Sequence, residues 1–168
     1  MIYRIFEAVD RLWPLERASA HCDVPCGIYD PISAQLAALS VLRFMDQLAE
    51  LDASGDADLA ARARLSRLVQ QKEEHAEKVK QEVRVIWGDY FKDEQLAACP
   101  DTPELTHRIM RLASSCKQGV SQEDARTLVA LCNDFANNFW KTKGVKTFEA
   151  TCPYPPAVTV VYPALGGA

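Results

Sequence analysis

The chain has 168 residues, a formal net charge of −4, 48% hydrophobic and 25% charged residues. This composition is typical of one globular domain with a buried core. The negative charge, with no basic run, argues against a nucleic-acid partner. No stretch is as long and as apolar as a membrane-spanning helix, so the sequence predicts no membrane partner.

Residues 1–20 are predicted to form a short amphipathic pro-segment that is removed on maturation. Their larger apolar residues share one helical face: Ile2, Ile5, Phe6, Val9, Trp13. Ala18-Ser19-Ala20 resembles a signal-peptidase site, but charged residues interrupt the apolar core that an export signal needs. The alternative is an ordinary first helix that stays attached. Without an export signal, a cytoplasmic location is expected, where cysteines serve as metal ligands, catalytic groups or core residues.

The segment HCDVPCGIYDP, residues 21–31, is predicted to be an irregular metal-binding hook. Pro25 and Gly27 disfavour a helix, so a turn is expected to bring the thiols of Cys22 and Cys26 together. Two close thiolates favour a soft or borderline metal. Zinc is the ordinary choice, but a closed zinc site needs four ligands. The sequence has no second Cys or His pair at the spacing of a zinc finger.

Cleavage between Ala20 and His21 would complete a different donor set. It frees the α-amine of His21, which can chelate a metal together with the backbone nitrogen of Cys22. The thiolates of Cys22 and Cys26 supply the remaining planar donors, and the His21 imidazole is available as an axial ligand. Two nitrogens and two thiolates in a plane suit Ni(II). Because the uncut chain has only an amide nitrogen at residue 21, cleavage is predicted to act as a switch.

Residues 32–144 are predicted to be all-α, an antiparallel four-helix bundle. Asp30-Pro31 is a helix start signal, with an acidic N-cap before a proline. Amphipathic stretches follow at helical spacing, separated by glycine and proline residues. Short connections between four such helices favour antiparallel packing. Residues 145–168 are predicted to form an extended Pro-rich tail.

The hook sequence resembles the nickel-binding hook of the nickel superoxide dismutase family. WGDYFK at residues 87–92 is similar to that family's string at the end of its second helix, and FWKTK at residues 139–143 also matches it. The resemblance implies a homohexamer of four-helix bundles with one nickel per subunit, cycling between Ni(II) and Ni(III). It also implies that the mature enzyme begins at His21, is released by a maturation protease, and converts superoxide to dioxygen and hydrogen peroxide.

The resemblance extends to the roles of individual residues. It supports three metal ligands: His21, Cys22 and Cys26. It implies that Tyr29 and Tyr90 are catalytic residues at the open axial side of the metal, and packing alone is the alternative for each. The residues expected to support the hook are Asp23, Pro25, Gly27 and Asp30, with Asp23 at a subunit contact and Pro25 after a cis bond.

Some positions depart from the family pattern. The glutamate and arginine that orient the axial histidine in some relatives correspond here to Ala37 and His75, so the surroundings of His21 are expected to differ. Cys116 and Cys132 fall on apolar helix faces and are predicted to be core residues. Cys99 and Cys152 each precede a proline. A disulfide between them is an alternative that the sequence neither supports nor excludes.

Other functional classes are weaker. A di-iron bundle needs two Glu-x-x-His motifs, and Glu104-x-x-His107 is the only one in the sequence. A non-catalytic nickel or zinc carrier, or a helical interaction module, is the alternative to an enzyme. A thiol–disulfide enzyme would favour Cys-x-x-Cys in an α/β pattern, which the sequence lacks. Lysines such as Lys92 are candidates for steering anionic superoxide.

Overall fold

The computed structural model describes residues 26–166 of the chain. Its helices are α1 (Ile32–Ser54), α2 (Leu59–Val85), α3 (Asp93–Ala98), α4 (Thr102–Gln118) and α5 (Gln122–Thr142). A π-helical turn (Ile86–Tyr90) continues α2, and two strands follow α5, β1 (Thr147–Thr151) and β2 (Thr159–Pro163). Among the described residues, no helix is long and apolar enough to cross a membrane.

The four long helices pack as an antiparallel bundle around one apolar core. α1 contacts α2 and α5, and α4 contacts the same two helices, so every long helix has two long neighbours. The short α3 lies in the connection between α2 and α4 and was not predicted. The arrangement confirms the predicted fold class. Apolar side chains from all four long helices fill the interior, among them Leu42, Met45, Val79, Ile109, Leu128, Phe135 and Phe139.

Local capping contacts explain several helix ends. Gly55 ends α1 with a φ of 69°, a left-handed conformation that glycine adopts readily. The Asp58 carboxylate accepts a hydrogen bond from the Ala61 backbone N–H at 2.7 Å and caps α2. The Ser121 hydroxyl caps α5 by accepting from the Asp124 backbone N–H at 3.1 Å. All three contacts join residues only a few positions apart in the sequence.

Lys72 of α2 is buried, with 2% of its surface exposed, and its ammonium binds the end of α4. Nζ donates hydrogen bonds to the carbonyl oxygens of Cys116 at 2.7 Å, Lys117 at 2.8 Å and Gly119 at 2.8 Å. Carbonyls at a helix C-terminus lack partners within the helix and carry partial negative charge, so the cation satisfies them. Burial lowers the pKa of Lys72, while the negative charge of Glu73 opposes that shift.

The residues after α5 form a β-hairpin that packs on the bundle. β1 and β2 pair in antiparallel fashion, and Val160 and Val161 of β2 are buried. The turn between the strands contains a cis peptide bond between Pro155 and Pro156. The proline pattern predicts an extended chain in this region, but it does not reveal that two extended segments pair with each other.

A buried amide network fastens the hairpin to α1 and α5. Gln35 Nε2 donates to Asn133 Oδ1 and to the Val161 carbonyl oxygen, both at 2.9 Å. Asn133 Nδ2 donates to the Thr159 carbonyl oxygen at 3.0 Å, and Asn133 Oδ1 also accepts from the Val161 N–H at 3.2 Å. Buried polar groups are costly unless they are hydrogen-bonded, so this network favours one register of the hairpin on the bundle.

Four cysteines lie in the interior as thiols: Cys99, Cys116, Cys132 and Cys152. Burial raises the pKa of Cys116 to about 11 and that of Cys132 to about 12. Both therefore remain protonated core residues at neutral pH, as predicted. Cys99 and Cys152 are not joined by a disulfide. Cys99 Sγ instead lies 3.6 Å from the Asn138 carbonyl oxygen, and Cys152 Sγ lies 3.3 Å from the Tyr154 carbonyl oxygen.

Thr106 of α4 should tolerate valine with a gain in stability. Its hydroxyl oxygen is buried and has no hydrogen-bond partner within residues 26–166. Valine has nearly the same shape and removes the unpaired polar group, so we expect Thr106→Val to raise the free energy of unfolding by about 1 kcal/mol. Urea denaturation of the variant and of Thr106→Ser, which keeps the hydroxyl, measures the effect. A loss of stability in Thr106→Val would contradict this account.

Candidate metal centre

The hook enters the described part of the chain at Cys26. Residues 26–30 have no regular secondary structure, and Cys26 is exposed. Gly27 has a φ of 69°, and a Cβ atom built on it would meet nothing within 4 Å. Glycine is therefore favoured there by the backbone conformation and not by lack of space. The other predicted ligands, His21 and Cys22, lie outside the described residues, as do the supporting residues Asp23 and Pro25.

Asp30 anchors the end of the hook to α1. Its Oδ1 accepts a hydrogen bond from the Ile32 backbone N–H at 2.8 Å. The Pro31 carbonyl oxygen accepts from the backbone N–H groups of Ala34 at 3.0 Å and Gln35 at 3.1 Å. These bonds tie residues 30 and 31 to the first turn of α1.

Tyr90 lies beside Tyr29 at the end of the bundle that carries the hook. Their ring centroids are 5.9 Å apart, and the Tyr90 ring also packs against Phe139 at 4.8 Å and Phe91 at 5.3 Å. Tyr90 is the last residue of the π-helical turn, in which the Phe91 N–H bonds to the Ile86 carbonyl oxygen at 3.3 Å. Such turns displace side chains from the regular helical position and occur often at functional sites.

The fold thus brings the two catalytic candidates together. Tyr29 follows Cys26 by three residues, whereas Tyr90 comes from the far end of α2. Helical periodicity does not predict this contact, because it depends on the packing of α1 against α2.

Two further residues at this end were not among the predicted site residues. Tyr90 Oη lies 2.7 Å from Thr142 Oγ1, and Lys143 Nζ lies 4.5 Å from the centroid of the Tyr90 ring. Both belong to FWKTK, residues 139–143, so the string that marks the resemblance also carried the signal for them. An ammonium over an aromatic ring is attracted to its electron-rich face.

Ala37 and His75 do not reproduce the acid–base pair of the family pattern. Ala37 is a buried core residue of α1. His75 Nδ1 lies 2.8 Å from the Gln71 carbonyl oxygen of its own helix, and its ring contacts Phe44 with centroids 5.3 Å apart. Since a carbonyl oxygen only accepts, Nδ1 carries the proton. His75 is therefore held by α2 and by packing on α1.

The part of the chain that the structure describes contains no group of three or more His, Cys, Asp or Glu residues able to hold a metal ion. Glu104 and His107 are both exposed on α4, so the di-iron alternative finds no support there. Cys26 is an exposed thiol on irregular chain, which is compatible with a ligand role. The chemistry of the predicted donors, amine, amide and two thiolates, fits nickel.

Comparison with known proteins decides the family. A model of the family described as nickel-containing superoxide dismutase matches residues 16–143. The chain belongs to that family. Membership confirms the predicted enzyme class, a nickel-dependent oxidoreductase, and the predicted nickel cofactor.

The chain is similar to characterised relatives over most of their length. It is 31% identical over 130 residues to the superoxide dismutase [Ni] of Streptomyces seoulensis. The matched residues are 77% of this chain and 93% of that protein. The enzyme of the same name from Streptomyces coelicolor is 32% identical over 130 residues, with the same coverage of both chains. A native structure of nickel superoxide dismutase at 1.30 Å matches with a TM-score of 0.63 and 30% identity, covering 73% of this chain and 99% of that chain. The hairpin lies beyond the matched residues 16–143.

Proposed function

We propose that this protein disproportionates superoxide after cleavage between Ala20 and His21. Two superoxide ions and two protons yield one dioxygen and one hydrogen peroxide. The observation that carries the proposal is the pairing of Tyr29 with Tyr90 at the hook end, in a chain of the nickel-containing superoxide dismutase family. Two phenol side chains beside the proposed Cys26 ligand would give the approach to the metal a polar border suited to a small anion.

The proposed ligands are the amine and imidazole of His21, the backbone nitrogen and thiolate of Cys22, and the thiolate of Cys26. When bound, nickel supplies a one-electron couple between Ni(II) and Ni(III), which electron-rich thiolate and amide donors bring into the range needed for both halves of the reaction. In the uncut chain residue 21 has no amine, so cleavage by a maturation protease is the proposed activation step.

The chain's own residues have distinct roles in this proposal. Tyr29 and Tyr90 would border the bound nickel on the side from which a small substrate approaches. The ammonium groups of Lys92 and Lys143 lie at the same end, Lys92 donating to the Gly88 carbonyl oxygen at 2.7 Å and Lys143 lying over the Tyr90 ring. They counter the acidic net charge and attract an anionic substrate over short range. The proposed location of the enzyme is the cytoplasm. Its proposed oligomeric state is a homohexamer, with Asp23 at a subunit contact.

The first experiment measures superoxide consumption by the chain trimmed to begin at His21 and by the uncut chain, each with and without one equivalent of Ni(II). We expect activity only in the trimmed, nickel-loaded sample, because only there is the amine donor present. A chain beginning at Ala20 is the matched control, since it has a free amine displaced by one residue. Equal activity in the uncut chain would contradict the processing step.

The departures at Ala37 and His75 favour one competing function, a nickel carrier. If the trimmed chain binds nickel tightly but consumes no superoxide, the carrier is supported and the enzyme proposal fails.

A further inference from the structure

The hydroxyl proton of Tyr90 is assigned by the contacts around Thr142. Thr142 Oγ1 lies 2.7 Å from the Phe139 carbonyl oxygen and 2.7 Å from Tyr90 Oη. Each short oxygen–oxygen contact needs one proton, and a carbonyl oxygen has none to give. The single proton of Thr142 therefore goes to Phe139. The proton between Thr142 and Tyr90 must come from Tyr90.

This assignment limits what Tyr90 can do on the side of the hook. A phenol has one proton to donate, and here that proton is committed to α5. The Tyr90 oxygen can still accept a hydrogen bond, for example from a water molecule. Hydrogen-bond donation next to the metal then does not come from Tyr90.

The Tyr90 ring itself has little freedom. It is packed between Phe139 at 4.8 Å, Phe91 at 5.3 Å and Tyr29 at 5.9 Å, with the Lys143 ammonium over its face. Rotation of the hydroxyl about its C–O bond is the movement left to this side chain, and Thr142 controls it.

We propose that Thr142 is a positioning residue that commits the Tyr90 proton to α5 and so presents the Tyr90 oxygen to the hook as an acceptor. The inference rests on the proposed function, in which Tyr90 borders the metal. Thr142 is the last residue of α5, where helix geometry brings its hydroxyl back to the Phe139 carbonyl. A side chain with no hydrogen-bond acceptor at position 142 would release the Tyr90 proton.

The proton direction can be tested on the full, nickel-free chain by ultraviolet resonance Raman spectroscopy. The tyrosine Fermi doublet has two bands. The intensity ratio of its higher-frequency to its lower-frequency band is low for a phenol that donates a hydrogen bond and higher for one that does not. We expect the ratio to rise in Thr142→Val and to remain unchanged in Thr142→Ser. Tyr90→Phe identifies the contribution of this tyrosine, and Thr147→Val removes a hydroxyl in the hairpin as the matched control. An unchanged ratio in Thr142→Val overturns the assignment.

The consequence for activity is tested by a double-mutant cycle in the trimmed, nickel-loaded protein. We expect Thr142→Val to lower kcat/KM about tenfold, the size of one hydrogen bond, with nickel content unchanged and with rescue in Thr142→Ser. In the Tyr90→Phe background the same substitution should have no further effect, since Thr142 acts through Tyr90. Additive losses would overturn the positioning role. Inactive wild-type protein would instead refute the proposed function, while the Raman result would still stand on its own.

Discussion

Replacing Cys26 with serine is expected to abolish tight nickel binding and to lower superoxide consumption by more than about a hundredfold. Loss of an outer-shell partner of a metal typically costs roughly 10–100-fold, and loss of a ligand costs more. Serine replaces the soft thiolate with a hydroxyl oxygen. That oxygen is a poor ligand for nickel in the proposed nitrogen–sulfur site. Because Cys26 is exposed and precedes α1, the bundle should remain folded. Nickel content per chain and the urea midpoint measure the two effects separately.

Cys99→Ala is the matched control for this substitution. It also removes one thiol, but a buried one that contacts a carbonyl oxygen. We expect it to bind nickel like the wild type and to lose about 1 kcal/mol of folding free energy, the cost of one small buried group. If Cys26→Ser keeps full nickel content and activity, the proposed ligand set is wrong. If Cys99→Ala loses nickel while folded, a second thiol site would have to be considered.

Replacing Lys72 with methionine is expected to lower the free energy of unfolding by about 2–4 kcal/mol. The substitution preserves most of the buried hydrocarbon volume but removes the ammonium that binds three carbonyl oxygens at the end of α4. Hydrogen bonds from charged donors are stronger than neutral ones, and their loss leaves carbonyls in the interior with fewer partners. Urea denaturation monitored by circular dichroism measures the change.

Lys78→Met on the same helix is the control for Lys72→Met. Lys78 is exposed, and exposed substitutions usually change stability by less than about 0.5 kcal/mol. Equal effects of the two substitutions would show that the buried contacts of Lys72 contribute nothing beyond a general loss of positive charge. A gain in stability in Lys72→Met would mean that desolvation of the ammonium outweighs its three hydrogen bonds.

Short-range patterns were sufficient to predict the nickel cofactor and the long helices. The donor types of HCDVPCGIYDP and their spacing indicate nickel chemistry without reference to the rest of the fold, and family membership confirms nickel. Helical periodicity and capping residues likewise act within a few positions, as the Asp30 contact to Ile32 and the Asp58 contact to Ala61 show. Information of this kind is legible in one sequence because the interacting groups are neighbours along the chain.

Contacts between distant residues required the tertiary structure. Thr142 approaches Tyr90 across 52 positions, Lys72 reaches Cys116 across 44, and Gln35 bonds to Val161 across 126. No local pattern encodes such pairs, because they depend on which helix faces meet and in which register. The pairing of β1 with β2 is of the same kind, since VTVVY predicts an extended segment and only the folded chain supplies its partner. The identity of the metal was therefore readable from eleven neighbouring residues, whereas the direction of the Tyr90 proton became apparent only when α5 was packed against the end of α2.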